Sequence, residues 1–347
     1  MNRALCTRLV RRRNFAGFPF LASASPEACA ALAKLAADTA AAQGFEAGIL
    51  LAECPPAMLG RLREQDFLPE RPVTFPGIRP FKSLFRKSVT SEHVLFGETE
   101  HWTHVHTLPG LPAFVPQDTA AHPPFARSAT YGFLTSQPAF AGTGLQIEAA
   151  LHLPALAVLA GNGRPGPGMP GLLEVQRALG AQGFDLRPLS LKTPGCADAG
   201  YFRMISRGGM DFPEETLYEH FAAKANHVLA VEAGALEQWR KRDPNELEDR
   251  VYRALRLLQE ARRMEHSELL ACVSQARMGV YLGLFPVKLL DLLETLRVEA
   301  GPFSLRNGVN TGTESETDGG ASSEAPFSLE VARAVLARRL LAGIQPL

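Results

Sequence analysis

The sequence predicts an α+β protein: an antiparallel or mixed sheet with helices packed on it, followed by an all-helical C-terminal domain. Three observations carry this reading. Segments rich in β-branched and aromatic residues, bounded by glycine or proline, recur at 93–107, 129–136 and 201–208. They are interspersed with helix-like stretches but lack the regular strand-helix-strand rhythm of a parallel sheet. After Asp243-Pro244 the pattern becomes almost purely helical.

The first helix is the best marked. Ser25-Pro26-Glu27 supplies an N-cap, a proline at the first helical position and an early acid, and Gly44 supplies a stop, which predicts a helix over 26–43. Further helices are expected over 145–160, 170–182 and 213–241. Asp243-Pro244 repeats the cap-and-proline start, and Leu247, Val251, Leu255 and Leu258 then form one apolar stripe. Leu269, Val273, Met278 and Leu282, then Leu289, Leu292 and Leu296, continue similar faces. Residues 306–325 are rich in Gly, Ser, Thr and Glu and read as a flexible linker. A last amphipathic helix is expected from Ser328 to about Leu341. The domain map is therefore 1–240 for the sheet domain and 241–347 for the helical one.

A chain of 347 residues with 46% apolar side chains can bury a substantial core. Lys+Arg and Asp+Glu are balanced at 36 each, so no global field favours nucleic acid or an anionic membrane, and neither partner is expected. The five cysteines are scattered without a C-x-x-C pair, which excludes a disulfide framework and a zinc ribbon and predicts a cytoplasmic protein. The longest apolar run, Ala149 to Ala160, is too short for a bilayer and contains His152 and Pro154.

Four segments carry the candidate chemistry. The first is Cys6-Thr7-Arg8-Leu9-Val10-Arg11-Arg12-Arg13-Asn14, followed by Phe18-Pro19-Phe20. The second is Gly97-Glu98-Thr99-Glu100-His101-Trp102-Thr103. The third runs from Tyr131 through Gln137-Pro138 and Gly142-Thr143-Gly144-Leu145-Gln146 to His152-Leu153-Pro154. The fourth ends on Gly200-Tyr201-Phe202-Arg203-Met204-Ile205-Ser206. In this order the segments resemble the ATP:guanido phosphotransferases, in particular the bacterial protein-arginine kinases. The resemblance implies the phosphagen-kinase type of catalytic domain, an antiparallel sheet flanked by helices.

It also implies roles, residue by residue. Arg8 stands on the first of the arginines that grip nucleotide phosphates, while Val10, Thr103, Gln146 and Leu189 occupy the positions of the others. Thr99 takes the place of the glutamate that positions and deprotonates the guanidinium. Gln137 replaces a thiolate cysteine, and Pro194 falls on a substrate-clamping glutamate. Glu98, Glu100 and His101 persist, Gly142-Thr143-Gly144 is intact, and Lys192 lies where it could reach a phosphate. The nucleotide-binding candidates are thus Arg8, His101, Gly142, Thr143, Gly144 and Lys192, with Glu98 and Glu100 as the only catalytic candidates.

The helical region carries runs similar to the same kinases, Leu247-Glu248-Asp249-Arg250-Val251 and Ala276-Arg277-Met278-Gly279. There the resemblance implies dimerisation, and phosphoarginine binding through Arg333. Two functions follow. One is a catalytically impaired, pseudokinase-like homologue that acts by binding, as a homodimer or with a protein partner in stress response or regulated proteolysis, and needs no cofactor. The other is an active kinase using ATP and magnesium, with Glu98 or Glu100 as base and Lys192, Arg11 or Arg12 on phosphate. A further arrangement puts Glu98, Glu100, His104 and His106 on one face of an unbroken strand, as metal ligands. A polar cleft wall accounts for the same residues, so no metal is expected.

Overall fold

Eight strands form one sheet in which every neighbouring pair runs antiparallel. The computed structural model describes residues 3–69, 73, 75–87, 90–113, 125–160, 169–190, 195–208, 212–310 and 328–347. In chain order the strands are β1 (Ala4–Arg13), β2 (Ile49–Leu50), β3 (Ser83–Arg86), β4 (Glu92–Phe96), β5 (Trp102–Pro109), β6 (Arg127–Ser128), β7 (Gly132–Phe133), β8 (Leu145–His152), β9 (Phe184–Pro188) and β10 (Tyr201–Ser206). The spatial order is β2-β3-β4-β5-β1-β8-β10-β9, and β6 and β7 make a separate small hairpin. The helices are α1 (Pro26–Ala42), α2 (Pro56–Glu64), α3 (Pro154–Ala160), α4 (Leu172–Gly180), α5 (Glu214–Arg242), α6 (Pro244–Glu260), α7 (His266–Tyr281), α8 (Leu289–Glu299), α9 (Pro302–Asn310) and α10 (Leu329–Leu341).

The capping signals work as read. Ser25 Oγ accepts from the Ala28 N–H at 3.2 Å, and Asp243 accepts from the Glu246 N–H at 2.9 Å. Gly44, at φ 75°, follows α1 in a conformation that glycine adopts without strain.

Four expectations are corrected. Residues 145–160 are not one helix: 145–152 form β8, and only Pro154–Ala160 is helical. Leu145, Ile147, Ala149 and Leu151 enter the core, and Gln146 and Glu148 alternate with them on the opposite face, so the period is two. Residues 93–107 are not one strand either. Gly97 turns at φ 80°, residues 97–101 form a loop, and β4 and β5 pair as a hairpin. Residues 129–136 contribute only the short β7. The proposed linker begins too early, because Arg306–Asn310 close α9, while 311–325 lie outside the described residues.

One face of the sheet packs on helices. Leu9, Ile147, Leu151, Phe202 and Met204 share a single cluster with Phe221 and Trp239 of α5, and that cluster runs without a break through Leu247, Val251, Leu255, Val273, Leu293 and Ala337 to Ile344. The stripe residues of α6 are at most 1% exposed within the chain itself, so the apolar side chains left on this surface are others, Leu257, Val331 and Val335 among them. On the opposite face, α2 covers Leu84 and Leu95 with Leu62, Leu59 and Met58. Glu64 at the end of α2 accepts from the Phe303 and Ser304 N–H groups at 3.0 and 2.9 Å, which ties α2 to the first turn of α9. None of the five cysteines is in a disulfide, and among the described residues no helix is long and apolar enough to cross a membrane.

Candidate active site

Period two along β1 sends Arg8, Val10 and Arg12 to one face and Leu9, Arg11 and Arg13 to the other. The first face, with α2 and the start of α9, walls a cavity of about 820 Å³ lined by Arg8, Asp66, Arg203, Tyr201 and Arg297 among others. Arg8 does not stand free in it. Its Nη1 lies 2.9 Å from Asp66 Oδ2 and 3.4 Å from Glu148 Oε2, and its Nη2 donates to the Asp66 carbonyl at 3.1 Å. Arg203 of β10 completes the square, at 2.6 Å from Asp66 and 2.9 Å from Glu148.

The neighbouring positions carry no charge for a ligand. Val10 is buried, and the Gln146 side chain accepts from Arg12 Nη2 at 2.8 Å and donates to the Ser206 carbonyl at 3.3 Å. Arg12 stacks over Phe140 at 4.4 Å and leaves Nη1 buried without a partner. Burial presses its guanidinium below the ordinary range. Arg11 leaves by the opposite face, where it meets Glu214 of α5 at 2.7 Å. Leu189 packs with Cys196, Ala199, Tyr201 and Leu270. Lys192 and Pro194 lie outside the described residues.

The loop before β5 meets the loop after β7. Ser136 Oγ lies 3.2 Å from the Thr99 carbonyl, which sets Thr99 close to the residue that precedes Gln137. The two remaining carboxylates are engaged elsewhere. Glu98 pairs with Lys82 at 2.9 Å and accepts from the Val73 N–H at 2.7 Å. Glu100 is wholly buried, and its oxygens take hydrogen bonds from Asn14 Nδ2, the Ser136 N–H and Ser136 Oγ. Because 97–101 is a loop, the four-residue metal face does not form. His104 instead meets Glu92 at 3.2 Å, and among the described residues no cluster of metal-ligating side chains occurs.

Three nucleotide candidates have other work. His101 is fully buried, with Nδ1 accepting from the Phe15 N–H at 3.0 Å and Nε2 donating to the Pro19 carbonyl at 2.9 Å. Burial lowers its pKa to about 4, against the Pro19 carbonyl, so a neutral ring holds the loop. Gly142 and Gly144, at φ 99° and 64°, let the chain close on β1: the Gly144 carbonyl accepts from the Arg12 N–H at 2.8 Å, and Arg13 Nη1 donates to the Thr143 carbonyl at 2.7 Å. A Cβ on Gly144 would fall on Arg13 and the Arg12 backbone. Arg333, expected at a ligand site, is only 6% exposed and donates from Nε to the Ala300 carbonyl at 2.9 Å.

Sequence comparison joins this geometry to known proteins. Residues 117–162 match the family model of the ATP:guanido phosphotransferase C-terminal catalytic domain, and 244–319 match that of the protein-arginine kinase McsB C-terminal domain. The chain is thus similar to the ATP:guanido phosphotransferases, and in particular to the protein-arginine kinases. Among its relatives is the protein-arginine kinase of Bacillus pumilus (strain SAFR-032), 28% identical over 182 residues, which are 52% of this chain and 47% of that protein. Another is the protein-arginine kinase of Moorella thermoacetica (strain ATCC 39073 / JCM 9320), 30% identical over 224 residues, 63% of this chain and 56% of that one. This phosphotransferase homologue thus spans about half the length of the curated relatives it matches. A solved lombricine kinase overlays with a TM-score of 0.51 at 11% identity, over 66% of each chain, and supports the fold.

Asp66, Glu148 and Arg203 were missed as site residues in the sequence. Alternation with Gln146 along β8 would have placed Glu148 on the cavity face. Asp66 comes from a loop that only the tertiary fold brings to Arg8.

Proposed function

We propose that this phosphotransferase homologue is catalytically silent and acts by binding. One observation carries the reading: both carboxylates left near the guanidinium position are committed, Glu98 to Lys82 and Glu100 to Asn14 and Ser136. A general base has to be within reach of the proton it takes, and Thr99 offers no basicity in their place. The family implies a magnesium nucleotide, and the folded site does not fit one. Its one inherited arginine, Arg8, is neutralised by Asp66 and Glu148, and Val10, Thr103, Gln146 and Leu189 bring no charge to phosphate. Phosphoryl transfer rests on positioning and on cations around the phosphates, and losing one such cation costs on the order of a thousandfold in rate.

In this reading the chain works through a protein partner in stress response or regulated proteolysis, and its resemblance to protein-arginine kinases is what supports it. The test is transfer of labelled phosphate from ATP, with magnesium, to free arginine and to an arginine-bearing protein. Transfer is expected to stay at the level of the enzyme-free control. Transfer by the unmodified protein that disappears in Glu98→Gln would establish the active-kinase alternative instead.

A further inference from the structure

α2 and α9 meet at the cavity wall through two reciprocal contacts, and each contact depends on a glycine. The Phe303 ring lies on Gly60, where a Cβ would come 2.4 Å from its Cγ. The Glu64 carboxylate lies on Gly301, where a Cβ would come 2.5 Å from its Cδ. Gly60, Glu64, Gly301 and Phe303 all line the cavity. Glu64 Oε1 accepts from the Phe303 N–H at 3.0 Å, and Oε2 accepts from the Ser304 N–H and from Ser304 Oγ, both at 2.9 Å. One carboxylate on three donors, with one ring beside it, joins the two helices.

Behind this latch α2 has a small apolar footing. Met58, Leu59 and Leu62 pack with Leu68, Leu84 and Leu95 in a cluster of their own, apart from the one that runs from Ala4 to Ile344. The turn that follows is held to the sheet by Asp66, whose side chain is 44% exposed and whose partners are Arg8 and Arg203. Asp66 is the one non-glycine residue with positive φ among those described, at 63°, so the closed arrangement keeps this turn in a conformation that such residues avoid. An element with little apolar burial and mostly polar ties opens locally at less cost than the core does.

We propose that α2, with the turn to Leu68, is a lid on the cavity: it pivots on the Leu84 and Leu95 patch, is latched to α9 through Glu64 and Phe303, and admits a ligand only when that latch parts. The lid concerns access and not phosphate chemistry, so it goes beyond the silent-kinase reading. Its test needs no ligand, and the two ideas fail separately.

Cys6 of β1 also lines the cavity and serves as the probe. Alkylation of the full chain with iodoacetamide, followed cysteine by cysteine through peptide masses, reads how often the cavity opens. Cys29, buried under α1 in a different cluster, reports opening of the molecule at large. Glu64→Gln sets an amide donor against a backbone N–H of α9, and it is expected to speed alkylation of Cys6 tenfold or more while Cys29 keeps its rate. The opposite arm combines Gly60→Cys with Phe303→Cys, positions near enough for a disulfide formed with oxidised glutathione. The cross-linked chain is expected to alkylate Cys6 at least tenfold more slowly than the unmodified chain, and this arm decides alone should Glu64→Gln fail to fold. Equal rates at Cys6 in either comparison, or a rise in Glu64→Gln that Cys29 shares, overturns the proposal.

Discussion

Asn14 Nδ2 donates to Glu100 Oε2 at 2.5 Å, and the pair joins the end of β1 to the loop that precedes β5. The same Asn14 accepts from the His101 N–H through Oδ1 at 3.0 Å, so one amide side chain fixes two consecutive loop residues. Glu100→Gln would turn an amide donor toward the donors of Asn14 and Ser136. Leaving buried charge-assisted partners unmatched costs about 2–4 kcal/mol. Urea unfolding should show that loss. An unchanged midpoint would mean that Glu100 is not the structural tie described.

Thr99→Glu restores the family carboxylate beside Ser136 but leaves Gln137, Val10, Thr103 and Gln146 as they are. Groups that act as a unit fail non-additively, so this single reversion is expected to give no phosphotransfer above background. Appearance of turnover in Thr99→Glu, measured with ATP and free arginine, would mean that the cations are dispensable.

Glu232 of α5 is fully buried and accepts from the Ala155 and Leu156 N–H groups, both at 2.9 Å, capping α3 from a distance. Burial lifts its carboxyl to about 7, against those two N–H groups, from an ordinary 4.5. Below pH 4.5 both folded and unfolded chains hold the proton. As pH rises toward 7 the unfolded chain releases it first, so stability falls across that window, by on the order of 3 kcal/mol, and then levels. Glu232→Gln should flatten the slope in denaturant titrations between pH 4.5 and 7. A slope that persists undiminished in the variant would assign it to other groups.

Gly60 of α2 lies against the ring of Phe303 in α9, and an added Cβ would come within 2.6 Å of three of its carbons. Gly60→Ala should therefore cost about 1–3 kcal/mol, the range for overpacking a filled core. Combining it with Phe303→Leu should recover part of the loss, a coupling that a double-mutant cycle reads directly. Additive effects would place the two residues out of contact.

What could be read in the sequence was what neighbours in the chain decide. Ser25 and Asp243 cap their helices through donors three residues away, so α1 and α6 were legible. β8 was not, because its Ala149-Ala150 pair and the Pro154 helix that follows blur alternation into a helical pattern. At the site, the motif frame picked out Thr99 and Gln137 as substituted positions. The fate of Glu100 depended on Asn14, 86 positions away, and that of Arg8 on Asp66, 58 positions away. No local pattern encodes such pairings, since they arise only when the sheet brings β1 against its loops.

The cluster that begins at Ala4 and ends at Ile344 has a calorimetric consequence. Leu9 and Leu247 belong to this one cluster, so neither half is expected to have a transition of its own. Heat capacity should trace one peak, and a polypeptide ending at residue 240 should expose Trp239, which Glu246 and Arg250 of α6 cover, and bind a hydrophobic dye even in the cold. Evolution could strip charge from the cavity face position by position while this shared interior kept the molecule upright.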